Sequence, residues 1–317
     1  MSDSRRAPRA IVFAYHDVGV RCLQVLLDGG VDVGLIVTHT DSPGETIWFA
    51  SVAALAAERG LRCVTPADPH DPALLESARA FAPDFVFSFY YRQMLKREWL
   101  DLPRHGAFNM HGSLLPRYRG RVPVNWAIIH GERETGATLH RMTEKPDNGA
   151  IVDQFAVPIL CNDTARDVFG KVTLAAEIVL ARSLPALIDG TAVERPQDLS
   201  QGRYFGGRKP EDGRIPADAG AGQIHDLVRA LAPPYPCAFM DVGGRRVFIE
   251  RTLHASAPPG VTGHGLRLWS DGANLWLITA DGGALRVLAA HRDGDAAPFG
   301  ARDLDTLSPG RRPDAGV

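Results

Sequence analysis

Two residues separated by one position, Asn109 and His111, are the first in the chain whose types could do chemistry together. On a strand alternate side chains share a face, so both would point one way while Phe108 and Met110 point the other. An amide donor beside an imidazole that can gain or lose a proton suits acyl transfer, whose tetrahedral intermediate needs an oxyanion donor and a proton carrier. The apolar run 106–110 reads as a buried strand, and Gly112-Ser113 with Leu115-Pro116 forces the chain out of it, which sets the pair at the strand's exit. Alone, Asn-x-His is a weak pattern, and a satisfied core histidine beside a turn asparagine is the plain alternative. Further on, Thr143-Glu144-Lys145-Pro146-Asp147-Asn148-Gly149 is a turn with Asp147 near its tip, a place where an aspartate is usually a solvated turn-former.

The elements around these residues alternate. Strand-like runs at 10–14, 31–38, 62–64 and 85–89 are separated by helical spacing at 20–27, 48–59 and 72–81. This predicts an α/β fold with a Rossmann-like, mostly parallel sheet, in which ligands lie beyond the carboxyl ends of the strands. After the central stretch the pattern predicts a helix at 124–130, strands at 138–142 and 149–157, and a long helix at 164–187. Near 201–213 the composition turns to Gly, Arg, Lys and Pro, as in a linker. A helix at 224–231 and short strands at 246–253, 266–269, 275–279 and 284–289 then predict a smaller C-terminal OB-like β-barrel domain. The expected division is a catalytic domain over 1–200, the linker over 201–213, the OB-like domain over 214–303 and a loose tail over 304–317.

Composition narrows the function classes. With 317 residues, a hydrophobic share of 45% and a net charge of −2, the chain suits a soluble two-domain protein and lacks the basic field of a generic nucleic-acid binder. Its four cysteines form no Cys-x-x-Cys pair and no His cluster has zinc-like spacing, so reduced thiols, a cytoplasmic location and no metal are expected. The five-residue apolar run after the charged start is too short for a signal peptide or membrane span. Tyr15-His16-Asp17-Val18-Gly19 has the wrong composition for a pyrophosphate-cradling turn, which argues against a dinucleotide cofactor.

The stretch from Phe108 to Gly120 resembles the signature of the folate-dependent formyltransferases, an Asn-x-His strand followed by a Ser-Leu-Leu-Pro-x-x-Arg-Gly loop, with the 138–147 segment at the expected distance. Within that superfamily the chain is most similar to ArnA-type formyltransferases. The residues carrying that likeness are Phe13 to Asp17, Thr38 to Asp41 with Pro43-Gly44-Glu45, Ser88 to Arg92, Thr138 to Met142, and Val228-Arg229-Ala230 with Pro236 and Ala238-Phe239. No second catalytic domain of that type follows, so a stand-alone enzyme is expected. The resemblance makes Asn109, His111 and Asp147 the catalytic set and 10-formyltetrahydrofolate the formyl donor. It sets Gln93, Met94, Leu95, Arg121, Thr143, Glu144, Lys145 and Pro146 where the family contacts the folate; at Gln93 the ArnA-type pattern has histidine.

The acceptor implied is the amine of a nucleotide-linked amino-sugar, UDP-4-amino-4-deoxy-L-arabinose, in lipid A modification and polymyxin resistance. Methionyl-tRNA formyltransferase is the nearest rival. It carries a basic insertion after its second strand, whereas here His39-Thr40-Asp41-Ser42-Pro43-Gly44-Glu45 has acids and no Lys or Arg, and phosphate contacts need cations. Small-molecule substrates and no nucleic acid are therefore expected. A non-catalytic paralogue that only binds nucleotide sugars or folate is the alternative of another class, and oligomeric state, a homo-oligomer included, stays open. The other histidines, among them His39, His140 and His225, show no constellation and read as structural or exposed.

Overall fold

The computed structural model describes residues 6–42, 44, 46–261, 264–295 and 297–307. The chain divides into two compact units. The first holds the described residues up to Pro123, then Glu134–Val157 and Phe169–Gly206; the second holds Val124–Arg133, Pro158–Val168 and the described residues from Gly207 on.

The first unit is built on a seven-stranded sheet of order β3-β2-β1-β4-β5-β7-β8. Its strands are β1 (Arg9–Ala14), β2 (Asp32–Val37), β3 (Cys63–Val64), β4 (Phe85–Phe89), β5 (Gly106–His111), β7 (Glu134–Arg141) and β8 (Ile151–Pro158). β1 through β5 pair in parallel, and β7 runs antiparallel to β5. The mostly parallel Rossmann-like sheet expected from the alternation is thus present. Helices α1 (His16–Asp28), α2 (Val52–Glu58), α3 (Pro72–Phe81) and α4 (Arg97–Leu100) fill the crossovers. Because β1 connects toward β2 on one side while β4 returns on the other, the order reverses between β1 and β4, where such sheets open a ligand crevice.

Local chemistry sets the helix ends. The Asp71 carboxylate accepts from the Ala73 and Leu74 N–H groups, and Pro72 follows, so α3 starts where Pro is preorganised for a helix. Helix α2 begins four residues later than the expected 48. Ser51 caps it through the Ala54 N–H, while the rings of Trp48 and Phe49 pack against His16 and stay in irregular chain. Helix α1 begins four residues earlier than expected, since the Gly19 N–H already reaches the Tyr15 carbonyl. The long helix α6 (Ala165–Ile188) starts on a reciprocal capping box between Thr164 and Asp167.

One face of the sheet carries Ile11, Phe13, Leu35, Val37, Val86 and Ala107 into a core against Leu74, Leu75, Ala78 and Trp99. The register Ile11↔Val86↔Ala107 and Phe13↔Ser88↔Asn109 sets Asn109 on this same face, one pleat further along than the apolar layer. On the opposite face Phe85, Phe87 and Phe89 stack in a row, with Phe108 beside Phe87. A two-stranded parallel pair of β6 (Arg119–Gly120) and β9 (Tyr204–Phe205) joins the chain leaving β5 to the segment beyond α6. The stretch expected as a linker is therefore ordered at its start, where Arg119 N–H meets the Arg203 carbonyl and Arg121 N–H the Phe205 carbonyl.

The second unit has a curled antiparallel sheet, order β10-β11-β14-β13-β12, from β10 (Ala238–Val242), β11 (Arg245–Ala255), β12 (Arg267–Ser270), β13 (Leu275–Ile278) and β14 (Ala284–Arg292). Register shifts in β11 at Ile249/Arg251 and Arg251/Thr252 give the sheet its bend, which makes a half-barrel of the expected small β domain. Helix α7 (Ala221–Leu231) packs Ile224, Leu227, Val228 and Leu231 into its core. Helix α5 (Pro123–Ile129) leads into the excursion 124–133, which belongs to this unit: Asn125 donates to the Ala230 carbonyl at 2.7 Å. Residues 301–307, expected partly as loose tail, form α8 (Ala301–Leu307); Asp303 accepts from Gly300 N–H and Leu304 joins the core. Residues 308–317 of that tail, and Pro43 and Glu45 of the acidic loop, lie outside the described residues. Among the described residues no helix is long and apolar enough to cross a membrane.

Candidate active site

The antiparallel register of β5 and β7 pairs Asn109 with His140 and His111 with Thr138, so four polar side chains share one face of two neighbouring strands. Thr138 is taken up structurally. Its hydroxyl donates to the Ser113 carbonyl and receives the Leu115 N–H and the Gln154 amide, which fixes the chain leaving β5. His111 and His140 meet Asp147, which the 142–150 connection carries back to them, and Asn109 meets His140.

Asp147 Oδ1 lies 3.5 Å from His111 Nδ1 and 3.6 Å from His140 Nε2, and its Oδ2 accepts the Gly120 N–H at 2.7 Å. Only 10% of its side chain is exposed, so the sequence expectation of a solvated turn residue does not describe it. Burial alone would raise the carboxyl; the His111 and His140 rings beside it and the Gly120 N–H outweigh burial and hold the group well below the usual carboxylate range. The carboxylate is ionised near neutral pH.

Hydrogen-bond partners fix both rings. His111 Nε2 is 2.8 Å from the Tyr118 carbonyl, which only accepts, so Nε2 carries a proton and Nδ1 is the nitrogen that faces Asp147. An imidazolium here would have an acceptor at one nitrogen and a negative charge at the other. His140 Nδ1 meets the Arg141 carbonyl at 2.9 Å, which leaves Nε2 to accept from Asn109 Nδ2 at 3.1 Å. That contact holds the NH2 group of Asn109 against His140, and a primary amide has a second N–H to give. A second N–H of this kind suits a donor to an oxyanion.

Asn109, His111 and Asp147, the set that the family resemblance implies, thus lie in one cluster, and His140 lies in it with them. His140, read from the sequence as structural or exposed, is buried between Asn109 and Asp147, with a side chain only 2% exposed. The available signal was the Thr138-x-His140 alternation inside the apolar run of β7, which mirrors Asn109-x-His111.

The residues expected to contact a folate are less uniform. Thr143, Glu144 and Lys145 are exposed in the turn that ends at Asp147, and the Thr143 hydroxyl donates to the Lys145 carbonyl. Arg121 is exposed next to Gly120, with Pro146 half-buried just before Asp147. Gln93 and Met94 are exposed after β4, where Gln93 accepts from the Tyr91 hydroxyl and donates to the Ala67 carbonyl. Leu95 differs: its side chain is packed in the sheet core, so it offers a ligand only its backbone.

Residues 17–184 match the family model described as formyl transferase, and residues 208–300 match the formyl transferase C-terminal domain. The chain belongs to the formyl transferase family. The family's fold also accounts for the solved structures it resembles. One is WlaRD, a sugar 3N-formyl transferase crystallised with dTDP and 5-N-formyl-THF (TM-score 0.68, 20% identity, 92% of this chain and 99% of that one). Another is the N-formyltransferase from Helicobacter canadensis in complex with folinic acid and dTDP-3-aminofucose (TM-score 0.68, 21% identity, 89% and 99% covered). HypX from Aquifex aeolicus with tetrahydrofolic acid matches over 96% of this chain and 48% of its own length at 17% identity and a TM-score of 0.63. At such identities the likeness is one of fold. Asn109, His140, Asp147 and His111 form a cluster at the end of β5 and β7 that joins an amide, two imidazoles and a carboxylate.

Proposed function

We propose that this formyl transferase moves the formyl group of 10-formyltetrahydrofolate to the amine of a nucleotide-linked amino-sugar. The observation that carries the reading is the Asn109 amide held by His140 beside an imidazole that has an acceptor at one nitrogen and an ionised carboxylate at the other. The donor supplies an activated formyl carbon. Asn109 Nδ2 hydrogen-bonds the oxygen of that carbon as it becomes an oxyanion, an interaction typically worth about 10²–10³ in rate. As the new C–N bond to the amine forms, His111 takes the amine's proton, and the proton goes to the folate nitrogen as the old C–N bond breaks. Asp147 stabilises the imidazolium in between.

The acceptor we favour is UDP-4-amino-4-deoxy-L-arabinose, on the ArnA-type motifs quoted above. The 39–45 loop supports a small acceptor over tRNA, because Asp41 accepts from the Tyr15 hydroxyl at 2.7 Å and the segment carries no Lys or Arg. The fold relatives crystallised with dTDP or a dTDP-sugar make dTDP-linked amines the necessary comparison. The purified chain is incubated with 10-formyltetrahydrofolate and, separately, UDP- and dTDP-linked amino-sugars and methionyl initiator tRNA, and products are read by mass spectrometry. Gain of one formyl group on the UDP-arabinose amine ahead of the others is expected. Preference for a dTDP-sugar overturns the acceptor, and formylation of the tRNA alone overturns the amino-sugar reading.

A further inference from the structure

Fifty residues beyond Asp147, Gln197 reaches back to the turn that bears it. Its Nε2 donates to the Asp147 carbonyl at 2.9 Å and to the Gly149 carbonyl at 2.6 Å. The turn needs holding. Asp147 has a φ of 56°, a left-handed conformation that L residues other than Gly adopt reluctantly. Gly149 comes so close to the Arg141 carbonyl that a Cβ there would collide with it.

The Gln197 Oε1, in contrast, is buried without a hydrogen-bond partner. Turning the amide over would aim that oxygen at two carbonyl oxygens, so the side chain is kept for its donor at the cost of an unsatisfied acceptor, a kind of defect that calls for an explanation.

The chain on either side of Gln197 grips the same place. Ile151 and Arg195 exchange reciprocal backbone hydrogen bonds at 2.8 Å, just past the turn. Arg119 donates to Asn148 Oδ1 at 2.7 Å and to the carbonyls of Leu199 and Gly202, while β9 pairs with β6. That pairing positions the Tyr118 carbonyl against His111 and the Gly120 N–H against Asp147, with Phe205 stacked on Tyr118.

We propose that Gln197 is a positioning residue for the reaction: at the head of the 195–205 strap, it sets the backbone of Asp147 so that one carboxylate reaches His111, His140 and the Gly120 N–H together. This rests on the formyl-transfer reading for its effect on rate, though not for its effect on the turn. Gln197 touches no reacting group and acts through Asp147.

Gln197→Ala removes the donor; Gln197→Glu keeps the size and replaces the donor by an acceptor. Each is compared with the wild-type chain by steady-state kinetics and by amide hydrogen exchange resolved to peptides. A displacement of about 1 Å at a reacting group costs on the order of 10²-fold, so kcat is expected to fall about 10- to 100-fold with both KM values within about threefold. Exchange should accelerate in peptides spanning 117–122 and 143–150 and stay unchanged in β1 and β4. Unchanged exchange in those two peptides overturns the inference whatever the activity, and so does faster exchange with kcat within about twofold of wild type. If the alanine variant exchanges faster throughout, the glutamate variant of equal volume decides. Failure of the wild-type chain to formylate any amine would count against the functional reading alone, and exchange would still decide whether Gln197 holds the turn.

Discussion

His111 and His225 are both buried imidazoles engaged at both ring nitrogens, one in each unit, and only His111 faces a charge across its ring. His225 Nε2 donates to the Cys161 carbonyl and its Nδ1 accepts from the Thr252 hydroxyl, both at 2.9 Å. These neutral partners fix one neutral tautomer, and burial lowers its pKa despite the hydrogen bond to Cys161 that works the other way. His254 and Arg229 nearby disfavour a proton further, with Asp226 opposing them. At His111 the neutral carbonyl occupies one side and Asp147 the other. On the proposed reading, burial and a hydrogen bond to a carbonyl accompany a structural histidine in one place and a proton carrier in the other. The carboxylate makes the difference.

The contrast is sharpest when each ring is removed. His111→Ala, Asn109→Ala and Asp147→Asn are each expected to cut kcat by about 10²–10³ with the fold retained, measured by formyl transfer and thermal melting. Activity within a few-fold of wild type would remove that residue from the set. His140→Phe keeps the volume but takes away the acceptor that holds Asn109, and a fall of about 10- to 100-fold in kcat is expected, as for a misplaced reacting group. His225→Ala should leave kcat unchanged and lower unfolding stability by about 1–3 kcal/mol, because the Cys161 carbonyl and Thr252 hydroxyl lose a partner in a buried place. Should kcat fall as far as it does for His111→Ala, the division between the two histidines is wrong.

Acid separates them more finely. A histidine whose folded pKa is lowered leaves stability intact above its ordinary value of 6.5; below that the unfolded chain binds a proton that the folded chain refuses, and stability declines. His225→Gln should flatten that decline in denaturant melts between about pH 7.5 and 5.5. Asp147 is depressed, so its contribution is complete above the ordinary carboxylate value of 3.8 and is lost only as pH falls below it toward the folded value. Asp147→Asn should therefore leave the decline near neutral pH untouched and change only the most acid part of the curve. The smallest expected effect is Thr252→Val, which removes one neutral hydrogen bond to His225 and should cost about 1 kcal/mol with no change in kcat.

Much of the sheet was legible because its signals are local. The apolar runs of β1, β2 and β4 and the caps of α3 lie within a few residues of the elements they define, and the period of two in Asn109-x-His111 was sufficient to give the two a common face. Asp147 came from family resemblance, since nothing near it in sequence distinguishes a buried carboxylate from a solvated turn. The contact of His140 with Asn109 was not legible, because it is assigned by the register of β5 and β7, which depends on pairing across some thirty residues. Likewise β6 and β9 are two residues each, too short for any period, and exist only through one another. The late start of α2 follows from Trp48 and Phe49 finding ring partners in His16 and Tyr15, contacts that helical spacing cannot register.

The strap at 195–205 also dates the site within the life of each molecule. A nascent chain exposed as far as residue 190 already displays Asn109, His111, His140 and Asp147, yet it lacks the amide that meets the Asp147 turn and the strand that pairs with Arg119 and Gly120. Contacts of such wide sequence separation form late. Emergence from the ribosome therefore delivers Asn109, His111, His140 and Asp147 first and the contacts that the strap makes to the Asp147 turn only some fifty residues afterwards.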